Sequence, residues 1–118
     1  MQEEHDLALV TCSIGLRFPK RVADGGVQLL LSTVGQIQAK AGCVSCAVAR
    51  DAVDPECVRY TEEWSSDPSF RRHLRSEEFL RVLTVMDMCC EEPQVVIGNL
   101  SGRSGIAYLQ ELRETATS

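Results

Sequence analysis

The stretch Arg59-Tyr60-Thr61-Glu62-Glu63-Trp64-Ser65-Ser66-Asp67-Pro68-Ser69-Phe70-Arg71-Arg72-His73 runs from a strand straight into a helix and carries the chain's only tryptophan. Residues two apart on a strand share a face, so Val58, Tyr60, Glu62 and Trp64 point one way and Arg59, Thr61, Glu63 and Ser65 the other. Glu62 therefore lies on the apolar side. An ionised carboxylate there must be hydrogen-bonded, paired or shifted in pKa, because desolvating it alone costs too much. Downstream, Asp67 reads as a helix cap, with Pro68 at the first position where a missing N–H does no harm. Ser76-Glu77-Glu78 then reads as a second helix start, with negative charge at the positive end of the dipole and Phe79, Val82, Leu83 and Met86 as the buried stripe.

Upstream, Ala52-Val53-Asp54-Pro55-Glu56 is a turn signal, which makes Cys43 to Asp51 and Cys57 to Ser65 an antiparallel hairpin. Leu7 to Phe18 alternates, with Ala8, Val10, Cys12, Ile14, Leu16 and Phe18 on one face. Pro19 and Asp24-Gly25-Gly26 read as the end of that strand. Val27, Leu30, Leu31, Val34 and Ile37 then recur at helical spacing to about Lys40, where Ala41-Gly42 stops the helix. Pro93 introduces a last strand over Gln94 to Leu100. The order is βαββαβ, an α+β, ferredoxin-like arrangement with a four-stranded antiparallel sheet and its helices on one face. A single domain over 1–118 is expected, with a core from about 7 to 101 and an amphipathic tail from 105 to 118. A sheet this small leaves one face wet unless a second copy covers it, so a homodimer is expected.

The net charge of −5 argues against a nucleic-acid partner, which calls for a basic surface. Arg71, Arg72 and Arg75 form the only basic cluster and read as a solvated helix face. The acidic start, Gln2-Glu3-Glu4-His5-Asp6, is unlike a secretory signal, and no apolar run approaches the roughly 20 residues of a membrane span. A cytoplasmic protein without a membrane partner is expected. Six cysteines are many for 118 residues. Cys43-Val44-Ser45-Cys46 has redox or zinc spacing, but on a regular strand residues three apart face opposite sides and the sulfurs diverge. No second such pair completes a metal site, and Cys89 and Cys90 adjoin near a helix end. All six are expected as reduced, mainly packing residues, with no metal bound.

Glu62-x-Trp64, then Phe70 and His73, then Ser76 and Phe79 resemble the antibiotic biosynthesis monooxygenase-like domains, of the quinol monooxygenase type. Gly42-Cys43 before a strand, Asp54-Pro55 at a turn, Pro93 before the last strand and Gly105 before the tail extend the resemblance over most of the chain. It implies a dimeric α/β barrel, with the tail as a short helix or exchanged edge segment. It also implies a cofactor-independent monooxygenase acting on a hydroquinone-like or polyketide phenolic substrate. The substrate would be deprotonated in a dry pocket and would itself reduce oxygen. The alternative is a non-catalytic small-ligand-binding or sensing domain of the same fold. Haem-degrading members place an asparagine on the first strand; the only asparagine here, Asn99, lies in the last, so that activity is not expected.

The expected catalytic residues are His73, as general base, and Trp64, as pocket wall, with Tyr60, Glu62, Phe70 and Phe79 on the substrate. Each has a plainer role. His73 borders the sheet-packing face of its helix and equally suits a half-buried structural histidine. Trp64 suits a core filler, and Tyr60 can donate to a phenolic oxygen. Glu62 can orient His73, cap backbone donors or pair with Arg50 or Arg81, and a structural network is preferred. Neither a phosphate-cradling glycine loop nor paired histidines at ligand spacing occurs, so no cofactor is expected.

Overall fold

The computed structural model describes residues 9–100 and 105–116. Its elements are β1 (Leu9–Arg17), α1 (Ala23–Gln38), β2 (Cys43–Arg50), β3 (Cys57–Trp64), α2 (Asp67–Leu74), α3 (Glu77–Met86), β4 (Gln94–Leu100) and α4 (Ile106–Ala116). The strands form one sheet in the order β2-β3-β1-β4, with every neighbouring pair antiparallel. This is the ferredoxin-like α+β arrangement, its second helical position split into α2 and α3. The alternation in β1 becomes a two-sided strand: Val10, Cys12, Ile14 and Leu16 are buried and the residues between them half-buried. Leu7 and Ala8, 101–104 and the last two residues of the tail lie outside the described residues.

The start of α1 departs from the sequence expectation. A short 3₁₀ turn, Lys20–Val22, leads into the helix at Ala23, so Asp24-Gly25-Gly26 belongs to its first turns. Two glycines weaken a helix by about 0.5–1 kcal/mol each. Packing decides the matter, because Ala23, Gly26, Val27 and Leu30 all face the core. A Cβ on Gly26 would stand 2.6 Å from Phe18 Cε1, so the helix crosses that buried ring at a glycine.

The hairpin turn is closed by Asp51, whose Oδ2 accepts from the backbone N–H groups of Val53 and Asp54 at 3.0 and 2.6 Å. The cap of α2 falls one residue earlier than expected: Ser66 Oγ accepts from Ser69 N at 3.2 Å, and Asp67 and Pro68 occupy the first turn. Ser76 caps α3 as its sequence implies, accepting from Phe79 N at 3.2 Å.

Strand β2 overturns one geometric expectation. Cys43 pairs with Trp64, but Ser45 pairs with Glu63, so Val44 is an extra residue in a bulge. The bulge shifts the alternation by one, and Cys43 and Cys46 come to lie on the same, helix-covered face. Cys43 packs at the core's edge, while Cys46 is buried and donates to Tyr60 Oη at 3.4 Å. All six thiols are free. Burial pushes the Cys46 thiol up to about 11 and that of Cys12 up to about 12, the latter helped by the Glu62 charge.

The helices leave β4 uncovered on their side, where Val95 and Ile97 are exposed. On the opposite face Val96 is two-thirds exposed. Helix α4 presents exposed Ile106, Leu109 and Leu112. Among the described residues, no helix is long and apolar enough to cross a membrane.

Candidate functional site

Strand β3 supplies three consecutive same-face side chains, Tyr60, Glu62 and Trp64, all within 1% of complete burial. An isolated carboxylate in that position would cost several kcal/mol. Here three donors converge on it. Trp64 Nε1 donates to Glu62 Oε1 at 2.9 Å, His73 Nε2 meets Oε2 at 2.8 Å, and the Tyr60 hydroxyl donates to Oε2 in a short hydrogen bond. Burial, then the Glu62 charge, raise the Tyr60 phenol far above its ordinary value, so it stays neutral, donating to Glu62 while accepting from the Cys46 thiol.

His73 enters from the last turn of α2 and is 2% exposed. The helix break behind it holds it in place: Ser76 Oγ donates to the His73 carbonyl at 2.7 Å while capping α3. Its ring stacks on Trp64, centroids 4.6 Å apart, and meets the edge of Phe79 at 5.3 Å. Its other nitrogen, Nδ1, lies 3.1 Å from Lys40 Nζ. An ammonium group only donates, so Nδ1 accepts and Nε2 carries the proton it gives to Glu62. Lys40 is anchored in the turn after α1, its N–H bonded to the Ile37 carbonyl and its own carbonyl to Cys43 N. Its ammonium also bridges to Glu78 Oε1 at 2.9 Å, and that bond holds the Glu78 carboxyl below its usual range.

The cluster is thus a chain from inside to outside: Glu62, His73, Lys40, Glu78. Lys40 and Glu78 are about a quarter exposed; the first two are sealed. A depression of about 290 Å³ opens over the outer end, lined by Lys40, Ala41, Trp64, Ser69, Arg72, His73 and Ser76. It brings together the two expected catalytic residues. Tyr60, Glu62, Phe70 and Phe79 are buried behind it and do not line it. Glu62 does orient His73, whereas the other partners considered for it are engaged elsewhere: Arg50 with Asp24 and Arg81 with Gln36.

A larger depression, about 490 Å³, lies at the hairpin end of the sheet between Arg17, Arg50, Arg59, Asp51 and Glu91. Its charges largely satisfy one another or nearby groups, Arg17 with Asp54 at 2.7 Å and Arg50 with Asp24 at 2.8 Å. Among the described residues no buried polar cluster backs it, so the smaller one is the stronger candidate. Among the described residues no three His, Cys, Asp or Glu side chains are placed to hold a metal ion.

Sequence reasoning missed Lys40, Glu78 and the thiol of Cys46. A lysine at a helix end and a glutamate in a first turn are ordinary partners of the helix dipole, so nothing in their spacing marks them.

A family model described as antibiotic biosynthesis monooxygenase matches residues 16–84, which span the whole cluster. No curated protein matches the chain. Among solved structures, a conserved protein from Methanosarcina mazei is 17% identical with a TM-score of 0.74, covering 87% of this chain and 99% of its own. A Pseudomonas aeruginosa protein is 23% identical, TM-score 0.69, over 85% and 99%. A Nitrosomonas europaea protein, named as a candidate antibiotic biosynthesis monooxygenase, is 17% identical, TM-score 0.70, over 79% and 89%. At these identities the likeness is one of fold.

Proposed function

From the premise that the chain belongs to the antibiotic biosynthesis monooxygenase family, we propose that it is a cofactor-independent monooxygenase acting on a small hydroquinone-like phenol. The observation that carries this is the buried Glu62–His73 pair, its imidazole stacked on Trp64 at the floor of a depression. A carboxylate behind an imidazole fixes its tautomer and stabilises the imidazolium that forms when it takes a proton. His73 accepts the phenolic proton, Trp64 forms the wall against which the ring lies, and Glu62 holds His73. Tyr60 and Phe79 support this arrangement from behind. The ionised, electron-rich ring then reduces oxygen. About 290 Å³ lies at the lower limit of small-molecule pockets, which favours a single ring over a multi-ring polyketide.

The test is oxygen uptake with a panel of substituted hydroquinones. Wild type is expected to consume oxygen, and His73→Gln to lose about 10²- to 10⁴-fold in rate. A non-catalytic ligand-binding domain remains the alternative, favoured by one observation: both His73 nitrogens are already bonded. Tight phenol binding with no oxygen uptake would establish that alternative.

The working unit in this proposal is a homodimer joined through the helix-free face. Thr11 and Ser13 of β1, Thr61 of β3, Ala47 of β2 and Val96 of β4 form an uncharged stretch of that face, flanked along β3 by Arg59 and Glu63. Sedimentation is expected to report twice the chain mass, and Val96→Lys to halve it. A well-folded wild-type monomer would exclude this assembly.

A further inference from the structure

Three facts about Lys40 combine. Among the described residues it is the hydrogen-bond partner of His73 Nδ1, the imidazole nitrogen that faces away from Glu62. It lines the depression, and Glu78 gives it a second anchor 2.9 Å away. While Lys40 holds Nδ1, His73 has no lone pair to offer a substrate. Arg72, also on the rim, adds positive charge, so an arriving oxygen meets a cationic entrance.

We propose that Lys40 is a catalytic residue that binds the ionising oxygen of the substrate and, by moving to it, frees His73 Nδ1 as the proton acceptor. The inference rests on the function proposed above and names how its site recognises a phenol. The phenol O–H bond breaks and an Nδ1–H bond forms. The electron pair stays on the phenolate oxygen, which Lys40 Nζ and its charge then hold, with Glu78 keeping the ammonium close. The imidazolium is balanced by Glu62 from β3. The other ionisable groups facing the pair are Glu78 from α3, Arg72 from α2 and the thiol of Cys43 from β2, while Tyr60 stays neutral behind Glu62. A site of this kind takes a monoanionic phenolate and discriminates against a methyl ether of the same shape.

The probe is 4-nitrophenol, whose colour reports its ionisation and which needs no oxygen chemistry. Wild type is expected to bind it as the phenolate, ionising it at lower pH than in water, and to bind neutral 4-nitroanisole more weakly. Lys40→Met is expected to weaken nitrophenolate binding about tenfold or more, to return its ionisation to the free value, and to leave 4-nitroanisole binding unchanged. Nitrogen NMR of wild-type His73 is expected to show the Nε2–H tautomer in the free protein and a second proton on Nδ1 in the complex, an observation that stands even if Lys40→Met does not fold. Equal nitrophenolate binding by Lys40→Met, equal loss of both ligands, no nitrophenol binding by wild type, or a singly protonated His73 in the complex would each overturn the role of Lys40. Oxygen uptake separates the two claims. A protein that binds nitrophenolate through Lys40 but consumes no oxygen keeps Lys40 as the ligand of the phenolate oxygen and His73 Nδ1 as its proton acceptor, and loses the monooxygenase.

Discussion

Glu62 and Glu63 stand side by side in β3, yet Glu62 is completely buried and accepts from Tyr60, Trp64 and His73, while Glu63 faces the opposite side and accepts from Ser45 Oγ at 2.9 Å. The pleat alone makes the difference. One residue of offset moves a carboxylate from the helix-covered face to the bare one, and with it from a rigid network to a single exchangeable contact. The buried polar network forms on the first face because the helices there keep water from competing for its donors.

The largest expected effect breaks the sealed side. Glu62→Leu leaves three buried donors without an acceptor, at about 1–3 kcal/mol each before relaxation, so a loss of about 3–5 kcal/mol is expected in denaturant unfolding. A loss below 1 kcal/mol would mean that the network contributes little to the fold.

Next is the seam between β2 and α2 beside that network. Gly42 has φ of +89°, its carbonyl accepts from Ser65 N at 2.8 Å, and a Cβ there would collide with Ser69 Oγ. Gly42→Ala is expected to cost about 1–2 kcal/mol from the left-handed backbone alone, with more from the collision. Ser69 Cβ would itself stand 2.6 Å from the added Cβ, so removing the whole side chain in Gly42→Ala/Ser69→Gly, measured against Ser69→Gly alone, should recover only the second part. Full recovery in the double variant would show that the backbone conformation is not strained.

A smaller, graded effect follows from the buried thiols. Cys46 and Cys12 rise from 9.0 to about 11 and about 12 on folding. Between these values the unfolded chain gives up protons that the folded one keeps, so unfolding becomes easier as pH rises. Their contribution is complete below pH 9 and is lost progressively towards pH 11 and 12. Melting temperature is expected to fall over that interval, and Cys12→Ala to flatten the fall. An identical alkaline slope in that variant would assign the loss to other groups, Tyr60 first.

The smallest effect closes the comparison. Glu63→Ala removes one partly exposed hydrogen bond and is expected to change stability by no more than about 0.5–1.5 kcal/mol. A cost equal to that of Glu62→Leu would show that the two faces are not distinct, or that Glu63 is buried in an assembly.

Much of the fold was legible because it rests on local periodicity. The alternation of β1, the turn at Asp54-Pro55, Ser76 before α3 and Pro93 before β4 each act within a few residues and reappear in place. The departures come where a distant contact outweighs a local preference. Asp24-Gly25-Gly26 reads as a loop until Phe18 is packed against Gly26. Cys43 and Cys46 diverge on a regular strand and share a face only because β2 is bulged at Val44. Within the site, the period-2 grouping of Tyr60, Glu62 and Trp64 was visible, and His73 was a reasonable neighbour. That Tyr60 would spend its hydroxyl on Glu62, and that Lys40 would cover His73 Nδ1, was not.

The sequence by itself determined which side chains share a face and where elements begin and end, because dihedral preference, caps and periodicity are properties of neighbours along the chain. The tertiary structure alone decided that Lys40, 33 positions before His73, meets its ring, and that Glu78 holds the same ammonium from a third element. Such contacts depend on how α1, α2 and α3 are set against the sheet. That is fixed by the fit of the whole core, with Phe18, Leu30, Ile37 and Trp64 filling it together.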